Sequence, residues 1–343
     1  MTPEQVLDYP FRHPPEPGTA LEVAPGVFWL RMPLPFALDH INLWLLDDGE
    51  AVAIVDSGIG NDATRALWEQ VFAAELGGRR VTRVFATHCH PDHAGLAGWL
   101  TRKFDAPFLV SQADYLTAHV WHDSAAGFTN ENLIAFLAEH GLDEARLAGF
   151  RARGNHYRRN VQDLPTRYRR LMDGDAIAIG ANVWRVIMGY GHAPEHAALY
   201  SERLGVLISG DMILPKISTN VAVSSVEPDA DPLGLFLASI ANYARLPADT
   251  LVLPSHGLPF RGLRERAEQL VEHHRLRLAE LEEACATPKA AAEVIGTLFR
   301  RELDTHQTFF AMGETLAHLN YLVRAGTLAR ARGADGIVRY GRT

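Results

Sequence analysis

Residues 87–93 read Thr87-His88-Cys89-His90-Pro91-Asp92-His93, which places three histidines and one aspartate within six positions. The apolar run 81–86 before them predicts a buried strand, and residues 94–100 after them predict the first turns of a helix. Neutral imidazole and carboxylate are the ligands that Zn²⁺ and its first-row relatives prefer where no thiolate is available. The segment therefore predicts a metal site at the end of a strand.

The spacing inside this segment favours two metals over one. His88 and His90 are two positions apart, so on an extended chain end they point the same way while Cys89 points away. Asp92 and His93 lie one turn later, on a different side of the loop. One patch of chain thus offers two ligand pairs that face two directions.

Further donors occur where later apolar runs stop, which is where side chains leave a packed sheet and ligand sites collect. These donors are Asp56, His192, Asp211 and His256, each with glycine or proline close by. Five strand ends that all carry histidine or aspartate predict a metal constellation rather than a chance cluster.

Residues 20–260 alternate strand and helix patterns, with one strand expected over 21–31 and a turn at 47–50. This pattern indicates sheets covered by helices, an α/β fold. Residues 111–170 predict a helical insertion outside any sheet, and its second half is rich in arginine. From residue 263 a long charged helix, two further helices and a hairpin are typical of a winged helix. We therefore expect a catalytic domain over 1–262 and a winged-helix-like domain over 263–343.

Five segments resemble, in order, the motifs of the metallo-β-lactamase superfamily, including its glyoxalase II-like members. They are Asp56-Ser57-Gly58, His88-Cys89-His90-Pro91-Asp92-His93, Gly191-His192, Gly210-Asp211 and Ser255-His256-Gly257. The resemblance implies an αββα sandwich with two divalent cations, in which Zn is favoured and Fe or Mn is possible. It also implies roles for individual residues. One metal would take His88, His90 and His192, the other would take Asp92, His93 and His256, Asp211 would bridge both, and Asp56 would hold a ligand histidine or the local loop. Apart from the resemblance, His196 lies four residues after His192 and is either a residue that orients a ligand or its loop, or a structural histidine. The tail resembles the winged-helix domain of some members, among them a branch with endoribonuclease activity.

Two such cations can share a water and lower its pKa from near 16 to about 7. The resulting hydroxide would be the nucleophile, and no serine, cysteine or lysine nucleophile is required. Asp92 or Asp211 would hold the hydroxide and accept or relay its proton, which makes these two the catalytic candidates.

Contacts with substrate are less well defined by the sequence. The candidates are His40, Asn42, Ser218, Asn220 and His156. Each has a structural alternative, such as turn chemistry for Ser218 and Asn220 or a solvated helix position for His156. The arginines of 151–170 could hold an anionic group or form a solvated face.

Composition narrows the function classes. The net charge of -8 argues against a protein devoted to nucleic acid. Residues 1–10 lack the features of a secretion signal and two cysteines cannot build a disulfide framework, so we expect a cytoplasmic protein. No apolar run is long enough to span a membrane. The exposed amphipathic helices make a homodimer a further expectation.

Three functions compete. The sequence favours a hydrolase of an ester, thioester or lactone of a small molecule. The alternative is a metal-dependent endoribonuclease, although residues 263–343 contain twelve Lys and Arg against eleven Asp and Glu, which is no footprint for a polyanion. A non-enzymatic winged-helix binding module is disfavoured because the ligand set is complete.

Overall fold

The structure is a computed structural model that describes residues 7–343. Its strands are β1 (Ala20–Ala24), β2 (Val27–Pro33), β3 (His40–Asp48), β4 (Ala51–Val55), β5 (Arg80–Phe85), β6 (Phe108–Ser111), β7 (Arg169–Leu171), β8 (Ala176–Ile179), β9 (Asn182–Gly189), β10 (His196–Ser201), β11 (Val206–Gly210), β12 (Leu251–Pro254), β13 (Lys289–Ala290), β14 (Leu328–Arg332) and β15 (Val338–Arg342). Its helices are α1 (Asp62–Val71), α2 (Pro91–Ala94), α3 (Ala97–Phe104), α4 (Gln112–Asp123), α5 (Asn130–Glu139), α6 (Glu144–Arg153), α7 (His156–Asn160), α8 (Pro232–Tyr243), α9 (Leu263–Ala284), α10 (Ala291–Leu298) and α11 (Thr305–Arg324).

The chain forms two compact units. The first comprises residues up to His122, Tyr157–Thr219 and Ser239–Ala267. The second comprises Asp123–His156, Asn220–Ala238 and Glu268–Thr343. Each unit therefore draws on several stretches of the chain.

The first unit contains two sheets. One has seven strands in the order β1 to β7, and the other has five in the order β12-β11-β10-β9-β8. Strands β4 to β7 pair in parallel, as do β11 and β12, while the remaining pairs are antiparallel. Side chains at the carboxyl ends of β4 and β5 consequently lie at one edge of the larger sheet.

Alternating side chains explain why these sheets stack. Along β3, Leu43 and Leu45 join the core beneath the helices, which includes Trp68 of α1 and Leu100 of α3. Trp44 points to the opposite face and joins a second core to which both sheets contribute. A sheet that is apolar on both faces must be covered on both, which yields the αββα sandwich.

The second unit contains the three-stranded sheet β13-β15-β14 together with α5, α6, α10 and α11. Helix α11 starts at a capping box. The Asp304 side chain accepts a hydrogen bond from the Gln307 N–H, and the Gln307 side chain accepts one from the Asp304 N–H. Most of its residues from Thr308 to Leu322 are buried, so α11 is the central element of this unit.

Three expectations from the sequence need correction or remain open. The strand expected over 21–31 is the hairpin of β1 and β2, turned at Gly26, whose φ of 72° suits glycine. Residues 111–170 do carry helices, but β7 begins at Arg169 and pairs with β6, so the insertion ends inside the first sheet. The domain boundary after residue 262 stays a prediction.

The turn expected at 47–50 is confirmed, because β3 and β4 pair on either side of Gly49. None of the helices within residues 7–343 combines the length and apolar character that crossing a membrane requires.

Candidate metal centre

Seven side chains in the first unit gather into two donor groups. Within each group the ligand atoms all lie within 4.8 Å of one another. The first group consists of His88, His90, His192 and Asp211, and the second of Asp92, His93 and His256. The structure therefore brings together every residue that the sequence proposed as a ligand.

The local fold of residues 88–93 separates the two groups. His90 is extended, with φ -62° and ψ 152°, and Pro91 starts the short helix α2. Because proline is preorganised for a first helical position, the chain turns at this point. His88 Nε2 and His90 Nδ1 consequently lie 2.9 Å apart on one side, and His88 Nε2 lies 3.2 Å from His192 Nε2.

Asp211 spans the two groups. Its Oδ2 lies 3.3 Å from His192 Nε2 in the first group. Its Oδ1 lies 3.5 Å from both His93 Nε2 and His256 Nε2 in the second. One carboxylate with an oxygen toward each group is the arrangement expected for a bridging ligand.

The polar atoms at this centre fit cations. His93 Nε2 and Asp211 Oδ1 are buried and have no hydrogen-bond partner. Buried polar atoms without partners are costly, so an unpaired ring nitrogen and an unpaired carboxylate oxygen side by side indicate ligand atoms. The donors are all nitrogen and oxygen, which suits Zn, Fe or Mn and does not choose among them.

Protonation differs between the groups. Burial lowers the pKa of His88 and His90 well below the usual histidine value, and their histidine neighbours add to the effect, so both rings are neutral as ligands must be. Burial alone would also lower the pKa of His93 and His256. The carboxylates around them, Asp56 and Asp211 above all, outweigh burial and raise both.

Comparison with known proteins agrees with this geometry. A family model described as the metallo-beta-lactamase superfamily matches residues 37–256. The chain belongs to the metallo-beta-lactamase superfamily. A second model, described as the metallo-beta-lactamase-like C-terminal domain, matches residues 278–343.

Superfamily relatives extend over most of the chain. It is similar to a beta-lactamase domain protein from Burkholderia ambifaria, with 50% identity, full coverage of both chains and a TM-score of 0.93. It is 26% identical to the probable metallo-hydrolase YqjP of Bacillus subtilis over 86% of this chain and 92% of that protein. It is 27% identical to the acyl-coenzyme A thioesterase MBLAC2 of Bos taurus, over 55% of this chain and 63% of that protein.

Asp56 holds a ligand of the superfamily centre in position. It is fully buried, and its Oδ2 accepts a hydrogen bond of 2.8 Å from His93 Nδ1. Its Oδ1 accepts from the Thr87 N–H at 2.7 Å. With Nδ1 engaged, His93 presents Nε2 to the second group. Asp56 has φ 63°, a left-handed conformation that aspartate tolerates better than most residues.

His196 supports the bridging residue Asp211. Its Nε2 accepts a hydrogen bond of 3.2 Å from the Asp211 N–H. Burial first, and then the nearby His192, lower the pKa of His196 to about 3, so the ring is neutral and can accept. The Thr219 hydroxyl donates to the Asp211 carbonyl at 2.5 Å and fixes the same backbone from its other side.

His40 and Asn42, expected near substrate, brace the loop of His256. The His40 carbonyl accepts from His256 Nδ1 at 2.8 Å, and His40 Nε2 accepts from the Gly257 N–H at 2.8 Å. Asn42 is fully buried, and its amide donates to the carbonyls of Pro254 and Gly257. Asn42 is thus enclosed by this loop, and the roles of His40 and Asn42 toward substrate stay predictions.

The remaining substrate candidates divide between the units. Ser218 is half-buried in the first unit, near the Asp211 loop in sequence. Asn220 and His156 belong to the second unit, where Asn220 donates to Glu314 Oε2 at 3.1 Å and His156 lies 5.4 Å from His306 between ring centroids. Their roles toward substrate stay predictions.

Cys89 takes no part in either donor group. It is buried, and burial followed by the neighbouring Asp114 carboxylate raises the pKa of its thiol. The residue that sequence reasoning missed is Asp114 itself, a fully buried acid in the first turn of α4. Its only signal in the sequence is a Ser111-x-x-Asp114 spacing at a helix start, which is common where no metal is near.

Proposed function

We propose that this chain is a hydrolase with two divalent cations that cleaves an ester, thioester or lactone of a small molecule. The observation that carries the proposal is Asp211, whose two carboxylate oxygens face two complete donor groups. Two-metal sites of this kind typically serve displacement by activated water.

The residues that would hold the cations are the seven of the two groups, with Asp211 shared between them. Bound cations would supply an acidified water and a positive charge to polarise the electrophile. Asp92 can then accept and relay the proton of the attacking water. Its Oδ2 lies 3.5 Å from His256 Nε2, and its side chain is 19% exposed, so this carboxylate stands between the enclosed ligands and incoming substrate. With Oδ2 toward the second group, the other oxygen of Asp92 would accept a proton from the attacking water and pass it to the leaving group.

Two comparisons support the proposal, the first for metal-dependent hydrolysis and the second for an acyl bond. YqjP is named a probable metallo-hydrolase, and the chain covers nearly all of it. MBLAC2 is named an acyl-coenzyme A thioesterase, although the chain spans less than two thirds of that protein. A thiolate is also a better leaving group than an alkoxide, so a thioester demands less proton donation from Asp92 than an alkyl ester or a lactone does.

A substrate panel tests the proposal. The full-length protein loaded with Zn²⁺, Mn²⁺ or Fe²⁺ would be assayed on acyl thioesters, aryl esters, lactones and single-stranded RNA. We expect metal-dependent hydrolysis of at least one acyl class and its loss in His93→Ala. The exposed His13→Ala serves as the matched control and should retain activity. Metal-dependent RNA cleavage that His93→Ala abolishes, with no acyl hydrolysis, would favour the endoribonuclease instead.

We also propose zinc as the resident metal, a cytoplasmic location and a winged-helix-like arrangement of the C-terminal elements. The last rests on the order of α10, α11 and the β14–β15 hairpin, with β13 as the third strand. Elemental analysis of the protein purified from its own source, without added metal, tests the first of these. Iron or manganese at two per chain would replace zinc in the proposal.

A further inference from the structure

Asp114 connects two loops of the metal centre. Its side chain is fully buried at the start of α4. Its Oδ1 accepts a hydrogen bond of 2.8 Å from the Cys89 N–H. Its Oδ2 accepts another of 2.8 Å from the Glu195 N–H. One carboxylate therefore joins the loop after β5 to the loop between β9 and β10.

Both loops carry ligands of the first donor group. Cys89 stands between His88 and His90, and Glu195 comes three residues after His192. A shift of either peptide relative to the other would change how far apart the three rings stand. Since the His88 and His192 ring nitrogens lie 3.2 Å apart, their mutual placement leaves little tolerance.

The carboxylate is itself held in one orientation. The Ser111 hydroxyl donates to Asp114 Oδ2 at 3.0 Å. The Asp114 N–H in turn donates to the Ser111 hydroxyl at 3.2 Å. Glu195 adds a reciprocal link, because its Oε2 accepts from the Ala113 N–H at 3.2 Å. Together these hydrogen bonds favour one orientation of the Asp114 carboxylate, in which every surrounding donor has its acceptor.

We propose that Asp114 is a positioning residue for the His88–His90–His192 group. This inference rests on the proposed two-metal function. Hydrogen bonds from backbone N–H groups to a buried carboxylate are among the strong ones in proteins. Asp114 uses two of them to fix the spacing of the first group, whereas Asp56 acts on the second through the His93 ring. Each group thus has its own buried aspartate.

Metal affinity measured one group at a time tests this. The full-length His256→Ala variant disables the second group, and His192→Ala disables the first. Asp114→Asn would be added to each, because the amide keeps the shape but cannot accept both N–H groups. The readout is the Kd for Zn²⁺ by competition with a chromophoric chelator, with the exposed Asp249→Asn as the isosteric control.

In the His256→Ala background we expect Asp114→Asn to weaken Zn²⁺ binding by about 10- to 100-fold, the range typical of residues that orient metal ligands. In the His192→Ala background we expect less than about a threefold change by the same reasoning. Equal losses in both backgrounds would mean that Asp114 only stabilises the fold. No loss in either would mean that the loops keep their spacing without it. Both results overturn the proposal.

Ser111→Ala covers the case in which Asp114→Asn fails to fold. It removes one hydroxyl from Asp114 Oδ2 and leaves both loop contacts in place. We expect Zn²⁺ affinity of the first group to fall about threefold, the effect of one hydrogen bond, and that of the second group to stay unchanged. An unchanged first group would overturn the proposal. These readouts need no substrate, so failure to hydrolyse acyl bonds would count against the proposed function and leave this inference standing.

Discussion

Two clusters of buried histidines within residues 7–343 differ in what surrounds them. In the first unit, histidines meet the carboxylates Asp92 and Asp211, and the ligand atoms converge into two groups. In the second unit, His274 and His318 are buried side by side, with ring nitrogens 3.0 Å apart. Both groups of three or more donors found within residues 7–343 lie in the first unit.

Hydrogen bonding engages three of the four ring nitrogens of the second cluster, and the fourth, His274 Nε2, is buried without a hydrogen-bond partner. His318 Nδ1 donates to the Glu314 carbonyl at 2.8 Å, which leaves its Nε2 to accept from His274 Nδ1. Burial lowers the pKa of His274 to about 3 and that of His318 to about 4, so both rings are neutral. These rings bond to each other and to the backbone, and they pack within the unit.

The contrast teaches that burial does not make a histidine a ligand. In the first unit carboxylates raise the pKa of His93 and His256 although burial alone would lower it, so a positive charge is favoured there. The carboxylates that favour a proton on these rings would equally favour a cation bound in place of that proton. Around His274 and His318 burial prevails and lowers the pKa of both rings, as it also does for the ligands His88 and His90, so the neighbouring carboxylates and not the lowered pKa distinguish the metal centre.

The largest effect should come from the residue shared by both groups. Asp211→Asn removes charge from an oxygen facing each group, so we expect both metals to be lost and activity to fall by at least about 100-fold. Metal content by elemental analysis and steady-state kinetics on the best acyl substrate measure this. Asp249→Asn should match wild type in both measurements. Full metal occupancy in Asp211→Asn would contradict a bridging role.

Asp56→Asn should be next in size. Asparagine keeps the left-handed backbone and one acceptor but removes the charge beside His93 Nδ1. We expect Zn²⁺ affinity of the second group to drop about 10- to 100-fold. Chelator competition in the His192→Ala background measures it. If Asp56→Asn instead weakened Zn²⁺ binding by the first group, Asp56 and Asp114 would not each support a different donor group.

His318→Ala tests the opposite side of the comparison. It leaves a cavity and removes the hydrogen-bond partner of His274 Nδ1. We therefore expect the free energy of unfolding to fall by about 2–4 kcal/mol. Denaturant unfolding gives this value. Metal content of the folded protein should stay at the wild-type level, and a loss of metal would show that the second cluster serves more than structure.

The smallest effect concerns pH. Burial raises the pKa of Glu314 to about 7, against the opposing Asn220 hydrogen bond and Arg277 charge. A carboxyl with a raised folded pKa contributes its stability fully below its unfolded pKa and loses it as pH rises through the folded value. Wild type should therefore lose about 1–3 kcal/mol relative to Glu314→Gln between about pH 5 and 8. Paired unfolding curves at several pH values check this, and parallel curves would contradict it.

Much of the first unit could be predicted because its signals are local. The His88–His93 cluster and the turn at Gly49 depend on spacing and residue type within a few positions. The strand pairing of β6 with β7 could not be predicted, since the helices α4 to α7 intervene and short strands carry weak patterns. The makeup of the second unit was equally hidden, because it collects three separate stretches.

Supporting residues were the hardest to identify. A carboxylate in the first turn of a helix usually caps it in solvent, so nothing in the sequence marked Asp114 as fully buried. The loop contacts of Asn42 were equally hidden, because a polar residue at the start of a strand can face a site or a neighbouring loop. The choice depends on where β12 ends, which only the folded sheets determine.

The φ of 63° at Asp56 limits how this position can change over evolution. The backbone there accepts glycine, asparagine and aspartate readily, and disfavours β-branched residues. Among those three, only aspartate supplies the charge that His93 receives. Almost every substitution of Asp56 therefore either strains the left-handed backbone or removes the negative charge beside the second donor group. In a library randomised at this codon, position 56 should tolerate fewer substitutions than several of the metal-ligand positions do.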